Sequence, residues 1–271
     1  MSNKSALQTR IATAALLIAG FLAAIYWAPT SFWTGLTGVV AVLAAREWAG
    51  MAGLGKTAGL FYAILIGAIS TGLVIAAPAL SQPFAEPFYP ALAFWLLAPT
   101  LLSRGARVRP ATLHLMLGAI VLIPTHLGLV ALRNLSPDLL LVVVGVVVIA
   151  DSAAYFSGRA FGKHKLAPSI SPGKTWEGAI GAWLAVTLYA LLLHFFAPAT
   201  IKLQCLPQVL AVFWMLFGLS VLGDLFESTL KRQAGIKDSG NLLPGHGGIL
   251  DRIDSLTAVL PAATLFWILL K

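Results

Sequence analysis

Charged residues are scarce in this sequence: only 10% of its 271 residues are Asp, Glu, Lys or Arg, whereas 59% are hydrophobic. A soluble protein of this length needs more polar residues than that to cover its surface. Cysteine is almost missing as well, and the lone Cys205 excludes both an internal disulfide and a cysteine cluster for a metal. Together with a mean hydropathy of +0.88, these shortages indicate a protein that lies in an apolar environment.

Long apolar runs recur along the whole chain, each close to the roughly 20 residues that cross a bilayer as a helix. The first run follows Lys4 and Arg10 as in a signal peptide, but it is longer than a typical signal-peptide core, so we expect a retained span. The sequence predicts an all-α, polytopic membrane protein with about nine transmembrane helices, at residues 11–28, 31–45, 58–78, 88–103, 112–132, 138–158, 178–197, 206–226 and 253–270.

The formal charge of +8 is spread unevenly over the predicted loops. With the N-terminus in the cytoplasm, the cytoplasmic side holds fifteen Lys and Arg residues, and the outer side holds only Arg133, Lys202 and Lys271. Cytoplasmic loops of membrane proteins are enriched in these residues. We therefore expect the N-terminus inside and the C-terminus outside, and this explanation of the charge requires no nucleic acid as a partner.

The acidic residues show the same asymmetry, since most of them are predicted at the cytoplasmic ends of the last four spans. These are Asp151, Glu177, Asp224, Glu227, Asp238, Asp251 and Asp254, whereas Glu86 and Asp138 lie in outer loops. We interpret residues 1–135 as a transmembrane scaffold and residues 136–271 as a transmembrane catalytic region.

Residues 50–57, GMAGLGKT, formally match the P-loop pattern of nucleotide-binding proteins. A P-loop needs a buried strand before it and, after it, a helix whose N-terminus faces the phosphates. This segment instead follows a predicted membrane helix and lies in a short connection. We therefore interpret Lys56 as part of a positively charged loop.

A first polar segment, residues 151–178, begins with Asp151 inside the sixth predicted span. An ionisable residue within a span is costly and indicates function, although a simple ion pair with Arg159 or Lys174 is the alternative. The segment ends in SPGKTWEG, in which Ser171 and Lys174 would suit a phosphate-binding turn. That indication is weak alone, because turns commonly contain Ser, Pro and Gly.

A second polar segment, residues 224–254, places four polar side chains on one helix face, at Asp224, Glu227, Ser228 and Lys231. Asp251 and Asp254 follow at the start of the next helix, where one of them could act only as a cap. Five acids near one membrane face repel one another unless cations lie between them. Carboxylates combined with substrate phosphates are typical ligands of Mg²⁺.

The same segment contains the groups that bind a polyphosphate. Positive charge would come from Lys231, Arg232 and Lys237, and close backbone approach from Gly245, Gly247 and Gly248. His246 is either a contact to phosphate or base, or a structural turn residue. From the residues alone, we predict a magnesium-dependent enzyme that uses a nucleotide or pyrophosphate at the inner membrane surface.

Residues 228–254, with their Lys-Arg pair, Lys237-Asp238, the PGHGG turn and DRID, resemble the signature of the phosphatidate cytidylyltransferase (CDP-diacylglycerol synthase) family. Residues 158–178, GRAFGKHKLAPSISPGKTWEG, resemble the preceding loop of the same family. The close resemblance covers roughly the last 120 residues, and the first five spans share only their apolar character. It implies an enzyme of phospholipid biosynthesis in a bacterial inner membrane, with its site facing the cytoplasm.

The family's activity is the reaction of CTP with phosphatidate, which gives CDP-diacylglycerol and pyrophosphate and requires Mg²⁺. By position, the resemblance implies Asp224, Asp251 and then Asp254 as metal and catalytic residues, and Lys231, Arg232 and Lys237 as triphosphate contacts. The remaining substrate contacts would be Asp151, Ser171, Lys174, Ser228, Asp238, His246, Gly247, Gly248 and Arg252. The resemblance also implies a homodimer, and it leaves a second cation open.

The chemistry of this reaction suits the residues present. The phosphate of phosphatidate is largely ionised near neutral pH, because the second pKa of a phosphomonoester is about 6. The attack therefore needs little general base, and the task is to offset repulsion between anions, which suits metal, Lys and Arg. One rival hypothesis is another CTP-dependent lipid enzyme, either a lipid kinase or a cytidylyltransferase that acts on a different lipid phosphate. The other is an ion-coupled transporter, although acids at one membrane face and the lack of a repeat disfavour transport.

Overall fold

The computed structural model describes residues 19–77, 84–105, 107–108, 110–196, 205–242 and 247–270, and this part of the chain is almost entirely helical. Residues 19–27 are helical and are called α1. The later helices are α2 (Thr30–Met51), α3 (Lys56–Ala76), α4 (Phe88–Ser103), α5 (Ala111–Leu135), α6 (Pro137–Phe161), α7 (Trp176–Phe196), α8 (Leu206–Gln233) and α9 (Leu250–Leu269). The predicted all-α class is confirmed, with one small hairpin added.

Two helices continue well beyond the apolar runs that predicted them. Helix α2 ends at Met51 rather than at residue 45, and α8 ends at Gln233 rather than at residue 226. The end of an apolar run marks where polar side chains begin, but backbone hydrogen bonding continues as long as the residues favour a helix. In α8, Lys231 and Arg232 in the last turn favour this extension, because cations stabilise the negative end of the helix dipole.

Six of the described helices are long and apolar enough to cross a membrane, namely α3 and α5 to α9. Helix α4 is apolar but has only 16 residues. These helices support a multi-pass membrane protein. The count of nine spans stays a prediction, and most of the first predicted span lies outside the described residues.

An antiparallel hairpin connects α6 to α7. Strand β1 (Lys165–Ala167) pairs with β2 (Ser171–Thr175), with Lys165 opposite Thr175 and Ala167 opposite Ser171. The predicted turn at residues 171–178 was therefore wrong, because residues 171–175 form a strand and Trp176 begins α7. The hairpin is closed by Trp176 N, which donates to the carbonyl of His164 at 2.9 Å.

A cluster of aromatic side chains packs α2, α4 and α8 together. The ring of Phe226 lies 5.0 Å from that of Phe94, 5.6 Å from Trp95 and 6.4 Å from Trp48. Trp95 Nε1 also donates to the carbonyl of Thr257 at 3.2 Å, which ties α9 to the cluster. Because Trp48 follows Glu47 and Phe226 precedes Glu227, this packing brings the polar ends of α2 and α8 together.

The buried apolar core includes residues from both halves of the chain. It contains Trp48 and Val121 from the first 135 residues, and Leu216 and Val259 from the remainder. The division into a scaffold at 1–135 and a catalytic region at 136–271 stays a prediction.

Candidate active site

Lys174 and Asp224 join the two polar segments predicted from the sequence. Lys174 Nζ on β2 lies 2.5 Å from Asp224 Oδ2 on α8. The second oxygen of Asp224 accepts a hydrogen bond from Ser228 Oγ at 3.2 Å, one turn further along the same helix face. The hairpin thus contacts α8 and brings the two predicted polar segments together.

Lys231 connects the end of α8 to the start of α9. Its Nζ lies 2.6 Å from Asp251 Oδ1 and 3.3 Å from Glu227 Oε1. The side chains of all three residues are largely buried, with 10% of Lys231, 9% of Asp251 and 3% of Glu227 exposed. This arrangement confirms the predicted shared face of Glu227 and Lys231, and it holds the ammonium group between two carboxylates.

Asp251 also organises the connection between α8 and α9, residues 234–249, which we call the α8–α9 loop. Its Oδ2 accepts hydrogen bonds from Ser239 N at 2.9 Å, Ser239 Oγ at 3.0 Å and Gly248 N at 2.8 Å. Gly247 has a φ of +78°, in the left-handed region that favours glycine. The predicted contacts Gly247 and Gly248 therefore shape this loop around Asp251.

A close crossing of α8 and α9 brings the carboxylates of Asp224 and Asp254 toward each other. A Cβ atom on Gly223 would lie 2.6 Å from the carbonyl oxygen of Asp254, so only glycine permits this approach. Ser255 Oγ donates to the carbonyl of Ser220 at 3.1 Å across the same crossing. Asp254 is close enough to Asp224 and Asp151 for their charges to interact.

A cavity of about 340 Å³ opens beside the Lys174–Asp224 pair, between α6, α7, α8 and β2. Asp151, Lys174 and Asp224 form polar lining, whereas Ala182 and Phe217 contribute apolar lining. Phe217 precedes Asp224 on α8 by seven residues, about 10 Å along a helix. The cavity therefore combines a charged part with an apolar part.

Arg159 and Lys174, the two bases considered as partners of Asp151, both have other contacts. Arg159 Nη1 donates to the hydroxyl of Tyr155 at 3.2 Å, and Lys174 pairs with Asp224. Asp151 is close enough to interact electrostatically with Lys174 and with Asp224. It thus lies in the cavity wall as part of an acidic group, rather than as the plain partner of Arg159.

The other predicted residues lie around this centre. Arg232 donates through Nε to the carbonyl of Ile170 and through Nη1 to that of Ile236, both at 3.3 Å, so it ties the hairpin to the α8–α9 loop. Ser171 begins β2. Three predicted residues are exposed near the site, namely Lys237, Asp238 and Arg252. His246 and Gly245 lie outside the described residues.

The donor set fits a hard cation. Five carboxylates (Asp151, Asp224, Glu227, Asp251 and Asp254) meet two lysine ammonium groups here, and carboxylate oxygens are what Mg²⁺ prefers. In the part of the chain that the structure describes, no three acidic, His or Cys side chains form a ready metal-binding group. That is compatible with Mg²⁺, which commonly uses one or two carboxylates and completes its shell with water and substrate phosphates.

The sequence reasoning missed Glu47, which lies on α2 and contacts the α8–α9 loop. Its Oε1 accepts a hydrogen bond from Ile249 N at 3.0 Å, and its Oε2 accepts one from Leu250 N at 2.8 Å. One signal was present, because Glu47 is the only acidic residue among the first 85.

Comparison with known proteins shows the family of this chain. A relative from Pseudomonas aeruginosa named phosphatidate cytidylyltransferase is 41% identical over 272 residues, which cover 96% of this chain and 97% of the relative. One of the same name from Haemophilus influenzae is 36% identical over 283 residues, with 96% and 98% covered. A third, from Brucella suis, is 49% identical over 123 residues, with 45% and 43% covered. Residues 8–270 match the family model described as the cytidylyltransferase family, and the chain therefore belongs to that family.

Proposed function

We propose that this protein transfers CMP from CTP to phosphatidate, giving CDP-diacylglycerol and pyrophosphate in phospholipid biosynthesis. The observation that carries the proposal is the Lys174–Asp224 ion pair, because it joins in one site the two segments that resemble the phosphatidate cytidylyltransferase family. The names of the two relatives that align over nearly the whole chain support the same activity.

The reaction forms one phosphoanhydride bond and breaks another. An ionised phosphate oxygen of phosphatidate attacks the α-phosphorus of CTP, and the bond from that phosphorus to the bridging oxygen of the β-phosphate breaks. The bonding electrons leave with pyrophosphate, so negative charge grows on the leaving group. Lys231 and Arg232 in the last turn of α8 and Lys237 in the α8–α9 loop carry positive charge and would stabilise the leaving group.

One or two of the carboxylates of Asp224, Asp251 and Asp254 would hold Mg²⁺ at this site, together with substrate phosphates and water. When bound, the ion would offset the repulsion between the two phosphate groups and the charge on the leaving group. Asp251 Oδ1 now contacts Lys231, so the ion and the ammonium group would compete for this oxygen. We propose that Lys231, which Glu227 also contacts at 3.3 Å, contributes its positive charge to the polyphosphate.

The cavity beside Asp224 suits the lipid substrate. Lys174 in its wall offers a positive charge to the phosphate of phosphatidate, and the apolar lining around Phe217 suits the first carbons of the acyl chains. We propose that the site faces the cytoplasm from a bacterial inner membrane, which would let CTP approach from water while phosphatidate stays in the leaflet. The excess of Lys and Arg in the predicted cytoplasmic loops supports this orientation.

Product analysis tests the proposal. Purified protein in detergent is incubated with phosphatidate, Mg²⁺ and CTP labelled either at the α-phosphate or in the cytosine ring. We expect both labels to enter a lipid product in equal amounts, with release of pyrophosphate. Transfer of label only from γ-labelled CTP would instead identify a lipid kinase, and the lack of any lipid product would contradict the proposal.

A further inference from the structure

Glu47 reaches the candidate site from the half of the chain that was interpreted as scaffold. Its carboxylate accepts hydrogen bonds from Ile249 N at 3.0 Å and Leu250 N at 2.8 Å, and its Oε2 lies 2.9 Å from Ser239 Oγ, a donor whose one hydrogen it shares with Asp251 Oδ2. All three donors lie more than 190 positions away in the sequence. This one side chain therefore contacts the α8–α9 loop at Ser239 and at its junction with α9.

The contact satisfies the start of α9. The first backbone N–H groups of a helix lack partners within the helix and form its positive end. Helix α9 has Ile249 at its N-cap position, without a capping side chain of its own. Glu47 supplies the missing acceptor and a negative charge from a different helix, so the position of α9 depends on α2.

The loop packs directly against the carboxylate. A Cβ atom on Gly240 would lie 2.5 Å from Glu47 Oε1, and one on Gly248 would overlap Glu47 Oε2 and Ser239 Oγ. Such close approach leaves little freedom for the loop to shift while Glu47 stays in place. Gly240 and Gly248 therefore allow the loop to approach Glu47, in addition to any contact they make with substrate.

Ser239 extends this contact to the acidic centre. Its hydroxyl lies 2.9 Å from Glu47 Oε2 and 3.0 Å from Asp251 Oδ2, and its backbone N–H donates to the same Asp251 oxygen at 2.9 Å. The other oxygen of Asp251 contacts Lys231. Glu47 is thus connected to the Asp251–Lys231 pair through one serine.

We propose that Glu47 is a positioning residue for cytidylyl transfer, which it serves by holding the α8–α9 loop and the start of α9 so that Asp251 and Lys231 face the substrates. The inference rests on the proposed function, and it adds a residue of α2 to the machinery of the reaction. Glu47 itself touches no reacting atom in this assignment, because its oxygens already accept hydrogen bonds from the loop.

Glu47→Gln tests this role with almost no change in side-chain volume. The glutamine amide keeps one acceptor oxygen, but its NH₂ group faces a backbone N–H donor. One of the hydrogen bonds from Ile249 N or Leu250 N is therefore lost. We expect kcat/KM for CTP to fall about 10- to 100-fold, as is typical when a supporting contact behind a functional side chain is removed, with the KM for CTP raised at least several-fold. Glu86→Gln makes the same chemical change at an exposed residue between α3 and α4 and should match the wild type.

A loss of folded protein gives a different result. It lowers the rate by the same factor at every CTP concentration and leaves KM unchanged, so an unchanged KM in Glu47→Gln would overturn the inference. Should Glu47→Gln fail to fold, Ser239→Ala decides instead, because it removes the hydroxyl that connects Glu47 to Asp251 and keeps the backbone bonds of both carboxylates. A wild-type KM for CTP in that variant would also overturn the inference. Wild-type protein without a CDP-lipid product would contradict the proposed function itself and is thereby distinguished from these outcomes.

Discussion

Lys231 Nζ lies 2.6 Å from Asp251 Oδ1, and this ion pair joins the last turn of α8 to the first turn of α9. Both side chains are at least nine-tenths buried, and charges in such a place persist only when they are paired and hydrogen-bonded. Glu227 provides a second carboxylate for Lys231 at 3.3 Å. The pair therefore fixes the position of Asp251 relative to α8. Glu227 remains a partner for Lys231 if Asp251 binds a cation.

Asp251→Asn should abolish CTP-dependent turnover in detergent while the protein still folds. The asparagine side chain lacks the negative charge that binds Lys231 and would bind a cation. It also has an NH₂ group in place of one carboxylate oxygen, so an acceptor for Lys231 or for the N–H groups of the loop is lost. Lys231 keeps Glu227 as a partner, so the cost in stability should stay below the roughly 3–5 kcal/mol of a fully broken buried pair. We expect activity to fall by more than about 100-fold, measured as CDP-lipid formed per monodisperse protein.

Asp138→Asn is the matched control for this change. Asp138 lies in the first turn of α6 and contacts the hydroxyl of Tyr26, at the other end of that helix from the site. It should keep turnover within about two-fold of the wild type. Retained activity in Asp251→Asn would reject Asp251 as a metal ligand and as a partner of Lys231 in the reaction.

Lys174→Met should lower kcat/KM by about 100-fold, because the cavity loses the cation that faces the lipid phosphate. The effect on unfolding free energy should be about 1 kcal/mol or less, since the Lys174–Asp224 pair is partly exposed, at 25% and 26%. Kinetics at varied phosphatidate concentration and thermal unfolding would measure the two effects. Lys163→Met changes an exposed lysine of the same connection and should leave both quantities unchanged; an equal loss in both variants would contradict a specific role for Lys174.

The resemblance and the helix faces made much of this site predictable. Asp224, Ser228 and Lys231 share a helix face because their spacing is set by 3.6 residues per turn, which the sequence alone shows. The two segments that resemble one family were expected to contribute to one site, although the ion pair of Lys174 with Asp224 was not itself predicted. Local pattern therefore predicted which side chains share a face of α8, and the family signature indicated which segments to consider together.

Glu47 was not predictable in the same way, because its role depends on which helices pack together. Next to Arg46 it resembles an ordinary charge at a membrane surface, and its partners lie about 200 residues later in the chain. The hairpin was missed for a different reason: its strands are 3 and 5 residues long, and the Pro-Gly within β2 is typical of a turn. Tertiary packing therefore decides the role of Glu47, whereas the hairpin was missed because its local sequence is ambiguous.

Removal of Mg²⁺ should stop the reaction reversibly. A chelator added to wild-type protein should abolish CDP-lipid formation, and excess Mg²⁺ should restore it, because the crowded carboxylates and the substrate phosphates otherwise repel one another. The measurement is the rate of product formation before chelation, after chelation and after Mg²⁺ is returned. Turnover that continues in the chelator would refute the proposed metal requirement.

Lys56→Ala should leave the reaction nearly unchanged, although residues 50–57 match the P-loop pattern. Helix α2 runs to Met51, and Lys56 begins α3 as an exposed residue, so the strand that a P-loop requires does not precede it. We expect the KM for CTP to stay within about two-fold of the wild-type value. A large rise in that KM would show that this loop binds the nucleotide after all.

The proposed orientation predicts opposite locations for the two ends of the chain. Alkaline phosphatase, which is active only outside the cytoplasm, should be active when fused after Lys271, and a fluorescent protein that matures in the cytoplasm should fluoresce when joined to the N-terminus. The physical reason is that fifteen of the 18 Lys and Arg residues fall on one side in this arrangement, and such residues are retained in the cytoplasm. Swapping the two reporters between the ends provides the control, since each should then be inactive. Phosphatase activity at the N-terminus, or fluorescence at the C-terminus, would contradict the nine-span orientation. If only one end gave the unexpected result, the number of crossings would be even; if both did, the orientation in the membrane would be reversed.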